Sequence, residues 1–436
     1  MSQRRRIRRL AGMLKARLPQ LKLHRVNDPR SFVRRWHLDR LLRAALLALM
    51  SGCKNLAEME ELTDSFSAEI RRQLALGGRV PDTTMRDVLC RIEPDDLRAC
   101  LHREVQAARR RKALPCVSLP FHVVALDGKG TALPCWDEQY AQRHQPEEGP
   151  PFGILRTVTA ALVTAPGRPC IDATPIPPQT NEMGSFPTAF TQLVQQYGDL
   201  FRVVTYDAGA SSEANGRLVV ENDKDYLFHL RNESRFMYRL AEELIDPDDI
   251  AGTTVDVLDN NTTVTRKLSI IAAERDMAYG RVGSEKIDAQ STIWPHTRTL
   301  LRVESEKRRG DEVVERDVRF YNSSLKADAL KPEQWLYLIR CHWGVENNNH
   351  HTFDVAFEED DRPWITGDPQ GALVVLLLRR IAYTLLTLFR SVTQRSDEKR
   401  AIPWKRLLRW VFTTLVAAQP ADLEGLRPRT TLHALG

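Results

Sequence analysis

Strand-like and helix-like runs alternate between residues 122 and 232, and two of the strand-like runs close on an aspartate. That pattern confines the chain to a mixed α/β core with acids at strand ends. Apolar and β-branched patterns over 122–126, 156–163 and 170–175 read as three strands. A helix over 182–196, a strand over 202–206, a helix over 212–221 and a strand over 225–230 follow. Asp127 in ALDGK and Asp207 in VVTYDAG each end such a run, so each carboxylate is expected at the C-terminal edge of a strand. A third acid, Glu346, stands in RCHWGVEN at 340–347, where the Pro332-Glu333 start and Trp335, Leu338, Ile339 and Val345 predict a helix over 333–349. Two strand ends and one helix can bring three carboxylates together.

Before residue 113 the periodicity is helical throughout. Leu38, Leu41, Leu42, Ala45, Leu46 and Leu49 form an apolar stripe that Gly52 ends. A further helix is expected from Ser67 through Ile70 and Leu74. After Gly77-Gly78, Pro81-Asp82-Thr83 starts another that carries Met85, Val88, Leu89 and Ile92. This is a helix-turn-helix outline in which Arg79, Arg86 and Arg91 can face DNA; an αα-hairpin with surface arginines fits the same pattern. Residues 253–258, 264–272 and 313–321 are short strand-like runs among charge and turn residues, and helical sequence returns over 333–349 and 370–390. Trp404, Leu407, Leu408, Trp410 and Val411 suggest one more amphipathic helix. Three strands followed by alternating helix and strand is also the order of elements in a ribonuclease-H-like domain. The expected organisation is a basic N-terminal tail over 1–30, a helical segment over 31–115, the first part of the catalytic core over 116–232, a β-rich insertion over 233–332, the second part of the core over 333–392 and a basic C-terminal tail over 393–436.

Charge points to a polyanionic partner. The chain of 436 residues has a net charge of +6, and its first 35 residues hold twelve Lys or Arg against the single acid Asp28. Arg109-Arg110-Arg111-Lys112 is a second basic block; solvated helix faces would have the same composition. The seven cysteines include no CxxC, which favours a reduced cytoplasmic protein over a disulfide scaffold or zinc finger. The longest apolar segment, 372–389, is interrupted by Arg379-Arg380, and no membrane span is expected.

Taken singly, Asp127 and Asp207 could be turn formers or helix caps and Glu346 a solvated helix residue. Arg340 could hold a phosphate or make a structural ion pair, and Trp343 could pack in the core or stack on a base. His342, Glu346 and His350 stand four residues apart, a spacing that could ligate Zn²⁺ on one helical stripe, although no HExxH is present.

The motifs in order are NDPR at 27–30, VPDTTMRDVL at 80–89, ALDGK at 125–129, QTNEMGSFP at 179–187, YDAG at 206–209, DYLFHLRNE at 225–233, YNSSLKADA at 321–329 and RCHWGVENNNHHTFDVAFEEDDR at 340–362. In this order they resemble the DDE-type insertion-sequence transposases of the ISAs or H-repeat-associated group. The resemblance implies a ribonuclease-H-like catalytic domain with a β-rich insertion before the last acid, behind an all-helical N-terminal domain that binds DNA. It assigns the catalytic, metal-binding triad to Asp127, Asp207 and Glu346, with Mg²⁺ or Mn²⁺ as two ions per site. It further implies double-stranded DNA at transposon ends and target as substrate, a homodimer or higher assembly on paired ends, and a bacterial protein acting on nucleoid DNA. Departures from the family pattern are Gly130-Thr131 after DGK, Asn349-His350-His351 where LHW is usual, and Phe353 where related transposases carry a lysine. A transposase relative that has lost catalysis and kept DNA binding would share most of these motifs.

The donor chemistry agrees with the assignment. Hard divalent cations prefer carboxylate oxygen and keep open positions for water and phosphate. Two of them about 3.5–4 Å apart stabilise both the attacking and the leaving oxygen of an in-line displacement.

Overall fold

Ten strands join in one mixed sheet in the computed structural model, which describes the chain except for residues 1–2, 32–35, 208, 210, 232–235, 259–260, 274–280, 283–284, 287–292, 395, 424–425 and 427–436. The end of the motif at 225–233 and the end of the basic C-terminal segment lie outside the described residues. The strands are β1 Val123–Leu133, β2 Ala141–His144, β3 Phe152–Leu162, β4 Cys170–Pro175, β5 Val203–Tyr206, β6 Asp225–Leu230, β7 Gly252–Leu258 and β8 Thr262–Ala272, then the two-residue pair β9 Arg281–Val282 and β10 Glu285–Lys286, and finally β11 Thr299–Arg309 and β12 Glu312–Ser323.

The sheet runs β2-β3-β1-β5-β6-β12-β11-β8-β7, with β4 also pairing with β3. β1, β3 and β4 pair antiparallel, whereas β5 and β6 run parallel to β1. The strand-rich segment expected as an insertion extends this same sheet, because β12 pairs antiparallel with β6, with Phe320 opposite Leu230. A bare β6 edge would leave a row of unpaired N–H and C=O groups, and β12 satisfies them. β11 was not evident from pattern. Its second half is the charged run Glu304, Glu306, Lys307, Arg308, Arg309, stabilised by lying between β12 and β8.

Helices surround the sheet. α1 Gln3–Arg17, α2 Leu38–Ser51, α3 Leu56–Asp64, α4 Ala68–Leu74, α5 Asp82–Leu89 and α6 Pro94–Arg110 precede it. α7 Glu182–Tyr197, α8 Glu213–Glu221 and α9 Phe236–Leu244 lie between strands, and α10 Pro332–His342, α11 His351–Val355, α12 Pro369–Leu388, α13 Asp397–Arg400 and α14 Trp404–Ala417 follow. Local chemistry sets several starts: Asn55, Ser67, Asn181, Ser212 and Asp368 each accept an N–H from the first turn of α3, α4, α7, α8 and α12. The basic start is not a tail. It forms α1, which buries Ile7, Leu10, Ala11, Met13 and Leu14 and packs against α14.

α12 is the hub of the helical part, packed against α2, α5, α6 and β4. Residues Pro369–Thr393 are long and apolar enough to cross a membrane, with mean hydropathy 1.9, yet the apolar stretch is wholly buried within the fold. Arg380 is accommodated there by Glu359, at 2.5 and 2.9 Å, and by the face of Phe353. Arg379 donates to the Arg362 carbonyl, and burial, opposed by Glu359, pulls its guanidinium down to about 10.

Candidate active site

Alternation along β1 decides where Asp127 goes. Val123 and Ala125 pack on the α10 side of the sheet, while Val124 and Leu126 pack on the side that holds Phe186 and Phe190 of α7. By the two-residue period, Asp127 continues the α10 side. β5 repeats the pattern, with Val203 on the α10 side and Val204 and Tyr206 on the other. Thr205 Oγ1 lies 3.1 Å from Nδ1 of His342, at the end of α10. β1 and β5 pair in parallel with Leu126 opposite Tyr206, so Asp127 and Asp207 follow at equivalent places along neighbouring strands, Asp127 inside β1 and Asp207 just past the end of β5.

Glu346 comes from the α10 side, but not on the continuous helix that the sequence predicts. α10 ends at His342, and Val345–His350 is a π-helical turn before α11. The single stripe of His342, Glu346 and His350 is therefore not formed. His342 is buried beside Thr205, and His350 Nδ1 lies 3.2 Å from Oδ2 of Asp127. The zinc reading loses its geometry, and among the described residues no group of three or more His, Cys, Asp or Glu side chains is arranged to hold a metal ion.

The acids nevertheless act on one another. Burial, then the negative charge of Asp127, raises the Glu346 carboxyl above its ordinary value; His350 opposes this and Asp207 adds to it. His342 is pushed down by burial against the pull of Asp127 and Asp207. Asp207 has His229 Nδ1 at 3.6 Å and an Arg231 guanidinium nitrogen at 3.8 Å. A groove of about 680 Å³ opens beside it, lined by Asp207, His229, Arg231, Arg319, Trp343 and Glu346 among others. Trp343 is half-buried with the Arg319 guanidinium 4.9 Å from its ring centre, so it is neither a core residue nor a bare platform.

A fourth carboxylate joins these, one to which the sequence reading gave no role. Glu182, at the start of α7, approaches over Gly128: a Cβ on that glycine would lie 2.0 Å from the Glu182 carboxyl carbon. Burial raises the Glu182 carboxyl, and Asp127 and, more weakly, Asp207 add to the shift, while Arg156 opposes it. The glycine directly after Asp127 was the available signal, since close approach of another group is one reason for a glycine inside a strand. Asp127, Asp207, Glu346 and Glu182 offer only hard oxygen donors, which suits Mg²⁺ or Mn²⁺ rather than a soft metal. Lys129 of the same motif is buried and ion-paired with Asp354 at 2.6 Å and Asp360 at 3.0 Å, and Thr131 Oγ1 adds a bond to Asp360. The acids of the FDVAFEEDD run therefore tie α11 and the segment after it to β1.

The expected DNA-contacting arginines are apart from the acids. Arg340 pairs with Asp256 of β7 at 2.9 Å, which is the structural ion pair that its sequence position allowed. It lines a second groove, of about 490 Å³, together with Arg168, Arg266, Lys307, Arg319 and Trp343. Arg79, in the connection between α4 and α5, is paired with Glu60 of α3, and Arg91 with Asp87; Arg86 is exposed on α5. All three lie at the surface of the helical segment.

Residues 21–103, the helical segment that holds these three arginines, match the family described as DDE_Tnp_1-associated. The match associates that segment with DDE transposases. Among solved structures, the chain is similar to the cryo-EM structure of a piggyBac transposase synaptic complex with hairpin DNA, at 10% identity and a TM-score of 0.43, over 97% of this chain and 80% of that one. No curated protein sequence matches the chain significantly.

Proposed function

We propose that the protein is a DNA transposase of the DDE type, of the ISAs or H-repeat-associated group, with a ribonuclease-H-like core and Asp127, Asp207 and Glu346 as its catalytic acids. The observation that carries this reading is the parallel pairing of β1 with β5, which sets Asp127 beside Asp207 on the side from which Glu346 approaches. The match of residues 21–103 supports a transposase independently of that geometry. The strand order, with β4, β3 and β1 antiparallel and β5 and β6 parallel to β1, supports the ribonuclease-H-like core.

Asp127, Asp207 and Glu346 would hold two Mg²⁺ or Mn²⁺ ions, with Glu182 close by. Such a pair supplies Lewis-acid stabilisation of the attacking and leaving oxygens of an in-line displacement. The chain's own groups prepare the site. His350 beside Asp127 and His229 beside Asp207 orient the two carboxylates, and the depressed basicity of buried His342 keeps a neutral ring behind them. Arg231 and Arg319 line the groove and would counter the charge of a phosphodiester. The reaction is hydrolysis at a terminal inverted repeat, in which water attacks phosphorus and releases a 3′-hydroxyl. That hydroxyl then attacks a target phosphodiester, forming a new P–O bond to the element's end as the target's own P–O3′ bond breaks and its 3′-hydroxyl leaves. Joining both ends calls for two such sites at fixed separation, which a two-fold assembly of chains on paired ends provides.

The test uses the full chain with duplex carrying the element's own terminal repeats and Mg²⁺. Asp127→Asn, Asp207→Asn and Glu346→Gln keep side-chain size and remove a charge. Each is expected to abolish strand cleavage, by at least about 10³-fold, with end binding within about twofold of wild type. Cleavage at wild-type rate by any of the three refutes its role. End binding without cleavage by the wild type would favour a protein that has kept only DNA binding.

A further inference from the structure

Glu346 sits in a π-helical turn, a form with poorer backbone bonding than an α-helix that is found mostly as single turns at functional sites. Something outside the turn must hold it, and the residues that do so come from the connection between β3 and β4. Asn349, completely buried, donates from Nδ2 to the Arg168 carbonyl at 3.0 Å. The Arg168 guanidinium donates to Oδ1 of Asn348. Gly344, at the head of the turn, leaves room for that arginine: a Cβ there would lie 3.0 Å from Arg168 Cδ and 3.2 Å from a guanidinium nitrogen.

Arg168 is itself held in an uncommon conformation. Its φ of 49° lies in the left-handed region that side-chain-bearing residues rarely adopt, which requires the surroundings to impose it. Those surroundings belong to α12. Thr387 Oγ1 donates to the Gly167 carbonyl at 2.9 Å, Tyr383 OH reaches the carbonyls of Gly167 and Arg168 at 3.2 and 3.3 Å, and Thr384 Oγ1 donates to the Cys170 carbonyl at 2.7 Å. The connection is thus fastened to the most buried helix on one side and to the Glu346 turn on the other.

We propose that Arg168 is a positioning residue for Glu346: seated over Gly344 and bonded to Asn348 and Asn349, it fixes the π-helical turn and so the place of the Glu346 carboxylate relative to Asp127 and Asp207. This rests on Glu346 being one of the catalytic acids. It also accounts for the run of three asparagines after Glu346, of which two are bonded to Arg168.

Arg168→Gly is the sharpest variant, because glycine takes the left-handed backbone freely and keeps the carbonyl while deleting the guanidinium. Arg168→Lys restores a charged donor. Three quantities are read on the full-length protein: Mn²⁺ affinity from the free-ion signal in electron paramagnetic resonance, cleavage of terminal-repeat duplex, and thermal melting. For Arg168→Gly, Mn²⁺ affinity and cleavage rate are expected to fall about 10- to 100-fold, with end binding and melting unchanged. Arg168→Lys is expected to recover a large part of both, and Gly344→Ala to weaken both by crowding Arg168. Wild-type Mn²⁺ affinity and cleavage in Arg168→Gly would overturn the positioning role. A wild type that binds Mn²⁺ in a Glu346-dependent way but cuts no DNA would overturn the transposase reading alone. A wild type that neither binds Mn²⁺ nor cuts would overturn both.

Discussion

Glu182 and Glu346 are partly buried carboxyls whose proton affinity is raised first by burial and next by Asp127. In the metal-free protein, each holds its proton to a higher pH in the folded state than in the unfolded chain. The folded state therefore binds more protons just above the ordinary carboxylate range, and stability is lost as pH rises through the raised values. Glutamine at either position removes that penalty. Glu182→Gln and Glu346→Gln are each expected to melt about 2 °C or more above wild type at pH 7 in chelator, with the gap closing near pH 4. Calorimetry at the two pH values checks this, and a glutamine variant that melts below wild type at pH 7 would show that the carboxylate has a favourable partner. Such instability in the empty protein is what a site that recruits cations would carry.

At the scale of elements, the join between α6 and β4 rests on a buried charge cluster. Arg98 of α6 donates to both carboxylate oxygens of Asp172 on β4, at 3.0 and 2.7 Å, and also to Thr174 and Gln192, while His102 Nε2 lies 3.1 Å from Asp172. Burial alone would push the Asp172 carboxyl up; the charges of His102 and Arg98 more than reverse this and hold it well below the usual carboxylate range. The resulting stability is present above the ordinary carboxylate pKa and lost as pH falls toward the depressed folded value. Asp172→Asn leaves Arg98 buried with its charge poorly matched, and an unfolding cost of about 3–5 kcal/mol is expected from denaturant melts. A change under about 1 kcal/mol would mean that Asp95, which also pairs with Arg98, suffices.

For the whole molecule, the decisive fact is that one apolar core contains residues from α1 to the C-terminal segment, including Leu46 of α2, Leu101 of α6, Leu377 of α12 and Val411 of α14. The helical segment expected over 31–115 therefore shares its interior with elements nearly three hundred residues later in sequence. Made alone, residues 1–115 would expose the faces of α2 and α6 that α12 covers. That fragment is expected to melt without a cooperative transition by circular dichroism, and to bind terminal DNA only when the rest of the chain is present. A sharp, reversible melt of the isolated fragment would show that it folds independently.

The order of strands and helices in the core, the strand end at Asp207 and the helical start were legible in the sequence because each is a short-range pattern: alternation fixes which face a strand residue takes, and capping residues fix helix starts. Asp127, expected at a strand end, lies instead inside β1, which pairs with β3 as far as Leu133. What surrounds the acids was not. Glu182 reaches Asp127 only because β1 and the start of α7 come together in space, and the turn that carries Glu346 is π-helical while Asn348 and Asn349 bind Arg168, 180 and 181 positions earlier. The pairing of β12 with β6 and the packing of the basic first helix on α14 are of the same kind. Periodicity reports what a residue does with its neighbours in sequence; bonds between distant segments depend on the complete packing, and only the tertiary structure decided those.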